Sequence, residues 1–148
     1  MILEIKISSD IESFLKKFNN DEKVMKKCSK AVKTTLYDIE RDAKENLEEN
    51  DSVDSGRLKG SITTNIISSY CGEVGTNVEY AECVEYGTRP HTITPKNKKA
   101  LYWEGAGHPV KSVQHPGSKA KPFMGPATKK NEVKFNKKID KIFKELGK

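Results

Sequence analysis

The 148-residue sequence has no apolar run approaching the about 18 residues that a membrane-spanning helix requires. Its opening stretch, Met1 to Asp10, also lacks the basic-then-apolar order of a secretory leader. Both absences predict a soluble protein made in the cytoplasm, with no membrane contact. Cysteine is scarce: Cys28, Cys71 and Cys83 form an odd set without paired spacing, which predicts buried reduced thiols rather than a disulfide framework. Adding His91, His108 and His115 generates no zinc spacing, so no metal is expected. The catalytic signatures are missing too, with no P-loop, no G-x-S-x-G turn and no H-E-x-x-H helix. Asp51 and Asp54, with Ser52 and Ser55, loosely resemble the start of a calcium loop, but no further ligands follow, which favours a turn capped by its own side chains. A metal-dependent nuclease would want carboxylates near its histidines, and residues 87–126 contain only Glu104. The expectation is a chain with no catalytic residues and no cofactor, not an enzyme.

What is present is charge, unevenly placed. The chain is 34% hydrophobic and 32% charged, enough for one modest core, and a single domain over 1–148 is expected. Of its formal +6, residues 119–148 carry ten lysines against Glu132, Asp140 and Glu145, while the rest of the chain is nearly balanced. Lys129, Lys130, Lys134, Lys137, Lys138 and Lys141 are candidates for contact with nucleic acid or an acidic partner, and a solvated helix face is the plainer alternative. Arg89 is the only arginine after Arg57, and no aromatics are interleaved with these lysines, so any DNA contact would be nonspecific.

Hydrophobic periodicity organises the chain. Met1–Ile7 reads as a short strand, and Ile11, Phe14, Leu15 and Phe18 give one stripe of a first helix. Val24, Cys28, Ala31, Val32, Leu36, Ile39, Ala43 and Leu47 continue the helical period from about residue 21 to 49. Turn chemistry occupies Asp51–Gly56, and the β-branched run inside Leu58–Ser69 predicts a strand, returning after Tyr70–Gly72 as Glu73–Thr76. Tyr80–Tyr86 reads as a brief helix closed by Gly87. All six prolines fall between 90 and 126, which predicts an extended arm over 87–126, with Ala100–Glu104 and Val110–Gln114 pairing as a hairpin. Ala127–Leu146 closes the chain as a basic amphipathic helix, with Phe135, Ile139, Ile142, Phe143 and Leu146 as its apolar face. The fold class expected is α+β: N-terminal helices, one of them long, and a C-terminal helix packed on a small antiparallel sheet, with a Pro/Gly-rich arm.

Three blocks carry a family resemblance: Ser52-Val53-Asp54-Ser55-Gly56-Arg57-Leu58-Lys59-Gly60-Ser61-Ile62; Val74-Gly75-Thr76-Asn77-Val78-Glu79-Tyr80-Ala81, continuing through Val84-Glu85-Tyr86-Gly87-Thr88; and Lys121-Pro122-Phe123-Met124-Gly125-Pro126-Ala127. In this order and spacing they resemble phage tail-completion or head–tail joining proteins, the group that includes the minor tail protein Z of lambda-like phages. Ser52 and Ser55 depart from the family's usual proline and threonine and leave the turn chemistry intact. The resemblance implies a structural virion protein of the phage neck, assembled in the host bacterial cytoplasm, that joins tail to head as part of a hexameric ring. Its implied partners are its own copies, the tail terminator, the tail tube and the neck or head-closure proteins, with nonspecific DNA contact as an addition. With a proline-rich arm that cannot fold compactly alone, the expected subunit interface is Tyr86, Arg89, Tyr102, Trp103, Pro122, Phe123 and Met124. The alternative is a basic DNA-binding accessory protein acting through the C-terminal helix.

Overall fold

The computed structural model describes residues 5–6, 22–52 and 56–146. The first-helix expectation over residues 11–18 lies outside them, as does most of the Met1–Ile7 strand, of which Ile5–Lys6 (β1) is described. The chain then runs through α1 (Glu22–Glu49), α2 (Arg57–Ser61), β2 (Thr63–Ile66), β3 (Gly72–Gly75), α3 (Ala81–Tyr86), β4 (His91–Ile93), β5 (Val113–His115) and α4 (Met124–Leu146). This is an α+β fold. Two long helices pack antiparallel, and a three-stranded antiparallel sheet of order β1-β3-β2 lies against α1.

The helical stripe read from sequence is the buried face of α1, joined at the same period by Thr35 and Asp42. It forms one core with Leu58, Ile62, Val74, Val78, Ala81, Phe123, Met124 and Ala127, while Val24 and Cys28 make a second cluster with Tyr70, Ile139 and Ile142. Asp51 ends α1 in the left-handed region at φ 49°, its N–H on the Glu48 carbonyl and that of Ser52 on the Leu47 carbonyl. That double bond satisfies two carbonyls the helix would otherwise leave open. At the sheet, Gly72 lets β3 lie on α1, because a Cβ there would stand 2.5 Å from Leu36 Cδ1.

Four expectations are corrected. Leu58–Ser69 is not one strand: residues 57–61 are helical, because Leu58 and Ile62, four apart, both point into the core, and strand begins only at Thr63. The last helix starts at Met124 rather than Ala127. Pro126 is tolerated in the first turn because no donor there has a partner within the helix. In the arm, pairing runs between His91–Ile93 and Val113–His115, and the expected hairpin of 100–104 with 110–114 is reduced to the single bridge Leu101–Val110. Of the thiols only Cys28 is buried, which raises its pKa; Cys71 is half-buried and Cys83 exposed.

Candidate interaction surfaces

The start of α4 is built by residues distant in sequence. The N–H groups of Phe123 and Met124 donate to Oε2 of Glu85 at 2.8 and 2.9 Å, and that of Gly125 donates to Oε1 at 2.9 Å. Glu85 is buried, so one carboxylate meets three of the donors a helix N-terminus leaves unpaired, and its charge sits at the positive end of the helix dipole. From the end of α1, Asn46 Nδ2 donates to the Phe123 carbonyl at 2.8 Å and Asn50 Nδ2 to that of Pro122 at 2.9 Å. Lys121 closes the junction, its N–H on the Val84 carbonyl and its Nζ on the Asp51 carbonyl. The second and third blocks of the family resemblance therefore meet here.

This junction changes the expected interface. Phe123 is 0% exposed and Met124 2%, so both are anchors of the subunit's own core and not of its surface. The reason is local: a helix start capped by a buried carboxylate draws its first side chains inward with it. Pro122 remains exposed, with its carbonyl engaged by Asn50.

Between Tyr86 and Pro122 no residue is buried. The arm is a two-stranded ribbon whose register continues from Thr88–Ser118 to Ile93–Val113. Glycine fixes its base, since a Cβ on Gly87 (φ 72°) would stand 2.5 Å from the Ser118 carbonyl oxygen and one on Gly117 (φ 86°) 2.3 Å from that of Thr88. Side chains add to the ladder. Thr92 Oγ1 donates to Gln114 Oε1 at 2.9 Å, and the rings of His91 and His115 lie 5.0 Å apart. His91 Nδ1 donates to the Arg89 carbonyl, whereas His115 Nδ1 accepts from the Gly117 N–H. Tyr86 (66% exposed), Tyr102 (68%) and Trp103 (50%) stand in solvent on this ribbon and at its root, with Arg89 exposed beside them.

The lysines of α4 divide. Lys130 and Lys134 lie 3.1 and 3.8 Å from Asp42 Oδ2, which also receives Asn131 Nδ2 at 2.8 Å. Lys138 reaches Asp38 at 3.4 Å, while Lys129, Lys137 and Lys141 are exposed. Burial pushes the Asp42 carboxyl up, but hydrogen bonds from Asn131, Lys130 and Arg41 outweigh that and hold it below the usual carboxylate range. Glu40 behaves alike: burial raises it, and bonds from Lys44 and Thr64 bring it lower, tying α1 to β2.

Sequence reasoning passed over Glu85, Asp42 and Asn131. For the last two a signal existed, since Asp42 falls three after Ile39 on the stripe of α1, and Asn131 lies between Ala127 and Phe135 at i, i+4 spacing. Polar residues on an apolar stripe point to a buried pair. Glu85 carried no such mark, because its partners lie about forty residues away in the chain.

Fold and surfaces together define a small α+β domain that carries an exposed ribbon and a divided basic helix. The family model described as "Bacteriophage HK97-gp10, putative tail-component" matches residues 9–87, just over half of the chain, and the chain belongs to that family of phage tail components. The match takes in α1, α2, β2, β3 and α3 up to Gly87, and stops where the arm begins. No curated protein and no solved structure matches the chain. Among the described residues no helix is long and apolar enough to cross a membrane, and no group of three or more metal-ligating side chains occurs.

Proposed function

We propose that this phage tail component is a tail-completion subunit of the neck, related to the lambda Z-like group, which joins tail to head as part of a hexameric ring. It acts by assembly rather than catalysis, in contact with the tail terminator, the tail tube and the head-closure proteins, in virions assembled in the host cytoplasm. The observation that carries this reading is the arm. A ribbon clamped at its base by Gly87 and Gly117 presents Tyr102 and Trp103 to solvent and gives nothing to its own core. Exposed Tyr and Trp at this density suit a hot spot that a neighbouring subunit covers. A ring closes through a heterologous contact, with one subunit's arm on the body of the next. Thr88–Ser118 holds the root of that arm in place.

Electron microscopy of a lysate from the parent phage with this gene deleted tests the proposal. Filled heads and complete tails lying unjoined are the expected result. Intact infectious particles would refute it.

A further inference from the structure

The positive excess does not lie where the sequence alone put it. Because α1 and α4 run antiparallel, the first half of α1 lies beside the second half of α4. Lys27 Nζ meets Glu145 Oε2 at 2.5 Å there, and Val24 and Cys28 pack against Ile139 and Ile142 underneath. Residues 22–34 and 135–146 together hold nine lysines against Glu22, Asp140 and Glu145, an excess equal to the whole formal +6 of the chain. The acidic second half of α1 is neutralised in place: Arg41 pairs with Asp38, Asp42 and Glu45, Lys44 with Glu40, Lys59 with Glu48, and Lys130 with Asp42. Lys130 and Lys134, which the sequence put forward for an outside partner, converge on the buried Asp42, whereas four lysines from two different helices line a shared groove, two of them in ion pairs of their own, Lys27 with Glu145 and Lys138 with Asp38. The four are Lys27, Lys30, Lys138 and Lys141, flanked by Ala31, Thr34, Ile142 and Glu145.

We propose that this two-helix pole is a sequence-nonspecific contact for the phosphate backbone of duplex nucleic acid. The groove holds four ammonium groups against one carboxylate, Glu145, and no arginine, no side-chain amide and no aromatic ring, so its positive excess can place phosphates and cannot read base edges. A protein partner fits less well. Lysine is depleted from the cores of protein interfaces, and Val24, Cys28 and Ile139 of this pole pack between the helices, leaving Ala31 and Ile142 as the apolar lining of the groove. The contact belongs to the single subunit and does not depend on the ring.

The test is fluorescence anisotropy of a mixed-sequence DNA duplex titrated with the full chain at several salt concentrations. If four lysines each neutralise one phosphate, log Kd against log salt has a slope of about 3 to 4. Replacing Lys27, Lys30, Lys138 and Lys141 by Gln removes most of that slope and weakens binding at least about tenfold at the lowest salt. The arm variant Lys96→Gln, Lys98→Gln, Lys99→Gln, Lys111→Gln loses the same charge and keeps the slope. Circular dichroism checks that each variant is folded. Should the fourfold variant unfold, Lys30→Gln with Lys141→Gln is used, and about half of the slope is lost. Equal losses in the pole and arm variants would overturn the proposal, because binding would then follow net charge alone. So would the absence of duplex binding by the unaltered chain, or tighter binding of poly-glutamate than of the duplex.

Discussion

Residues 88–118 and 121–127 adjoin in the chain and share a composition rich in proline and glycine, but one segment buries no residue fully and the other starts a helix inside the core. The difference is what each finds to bond. Around 121–127 stand Glu85, Asn46 and Asn50, which supply an acceptor for each free N–H and donors for two carbonyls. Residues 88–118 find only one another, through the ribbon and its glycine-clamped base. Proline and glycine state what the backbone cannot form; the partners present decide whether the segment is buried.

The largest expected effects fall at the junction. Phe123→Ala should cost about 3–5 kcal/mol and Glu85→Ala about 3–4 kcal/mol in urea unfolding, the first through a cavity and the second through buried donors left unpaired. Tyr102→Ala and Trp103→Ala should each change subunit stability by less than about 0.5 kcal/mol. Comparable losses at both sites would erase the distinction between core and projection. Gly117→Ala comes next, at about 2 kcal/mol, because a side chain there meets the Thr88 carbonyl in a left-handed backbone. Loss of amide exchange protection should concentrate at residues 88–93 and 113–118. Loss spread evenly through α1 would mean that the arm is not a separate unit.

Asp42 tests the α1–α4 seam through pH. Its folded pKa is depressed, so its stabilisation is present above the ordinary carboxylate pKa and is lost as pH falls through the lower folded value. Asp42→Asn should cost about 1–2 kcal/mol near neutrality, and should flatten the decline of stability in acid as measured by denaturation. An unchanged acid slope would contradict the role assigned to the carboxylate. The smallest effect is expected at Asp51. Its φ of 49° at the end of α1 suits glycine, and Asp51→Gly should raise stability by about 0.5–1 kcal/mol.

Legibility in the sequence followed the physics of each element. The span of α1 was readable to within about one residue, because its stripe holds the helical period throughout. So was α3, because Gly87 with φ 72° closes it. Residues 57–61 misled because the β-branched run that follows looks continuous with Leu58, and only the core position of Leu58 relative to Ile62 reveals the helical turn. The register of the arm was not legible. His91, Thr92 and Ile93 are all exposed, so no apolar alternation records which face is in, and the clamp at the base sets the pairing instead. For the surfaces, Tyr86, Arg89, Tyr102, Trp103 and Pro122 stand exposed, whereas the buried Phe123 and Met124 were inseparable from them by composition. The basic pole was half visible, since lysines of α1 join it only once the helices pack antiparallel.

The most direct test of the central claim is complementation of the gene deletion with the Tyr102→Ala, Trp103→Ala double variant, followed by electron microscopy. A folded, fully expressed variant that leaves filled heads and finished tails separate is the predicted result. Joined, infectious particles at the level of the unaltered chain would contradict it.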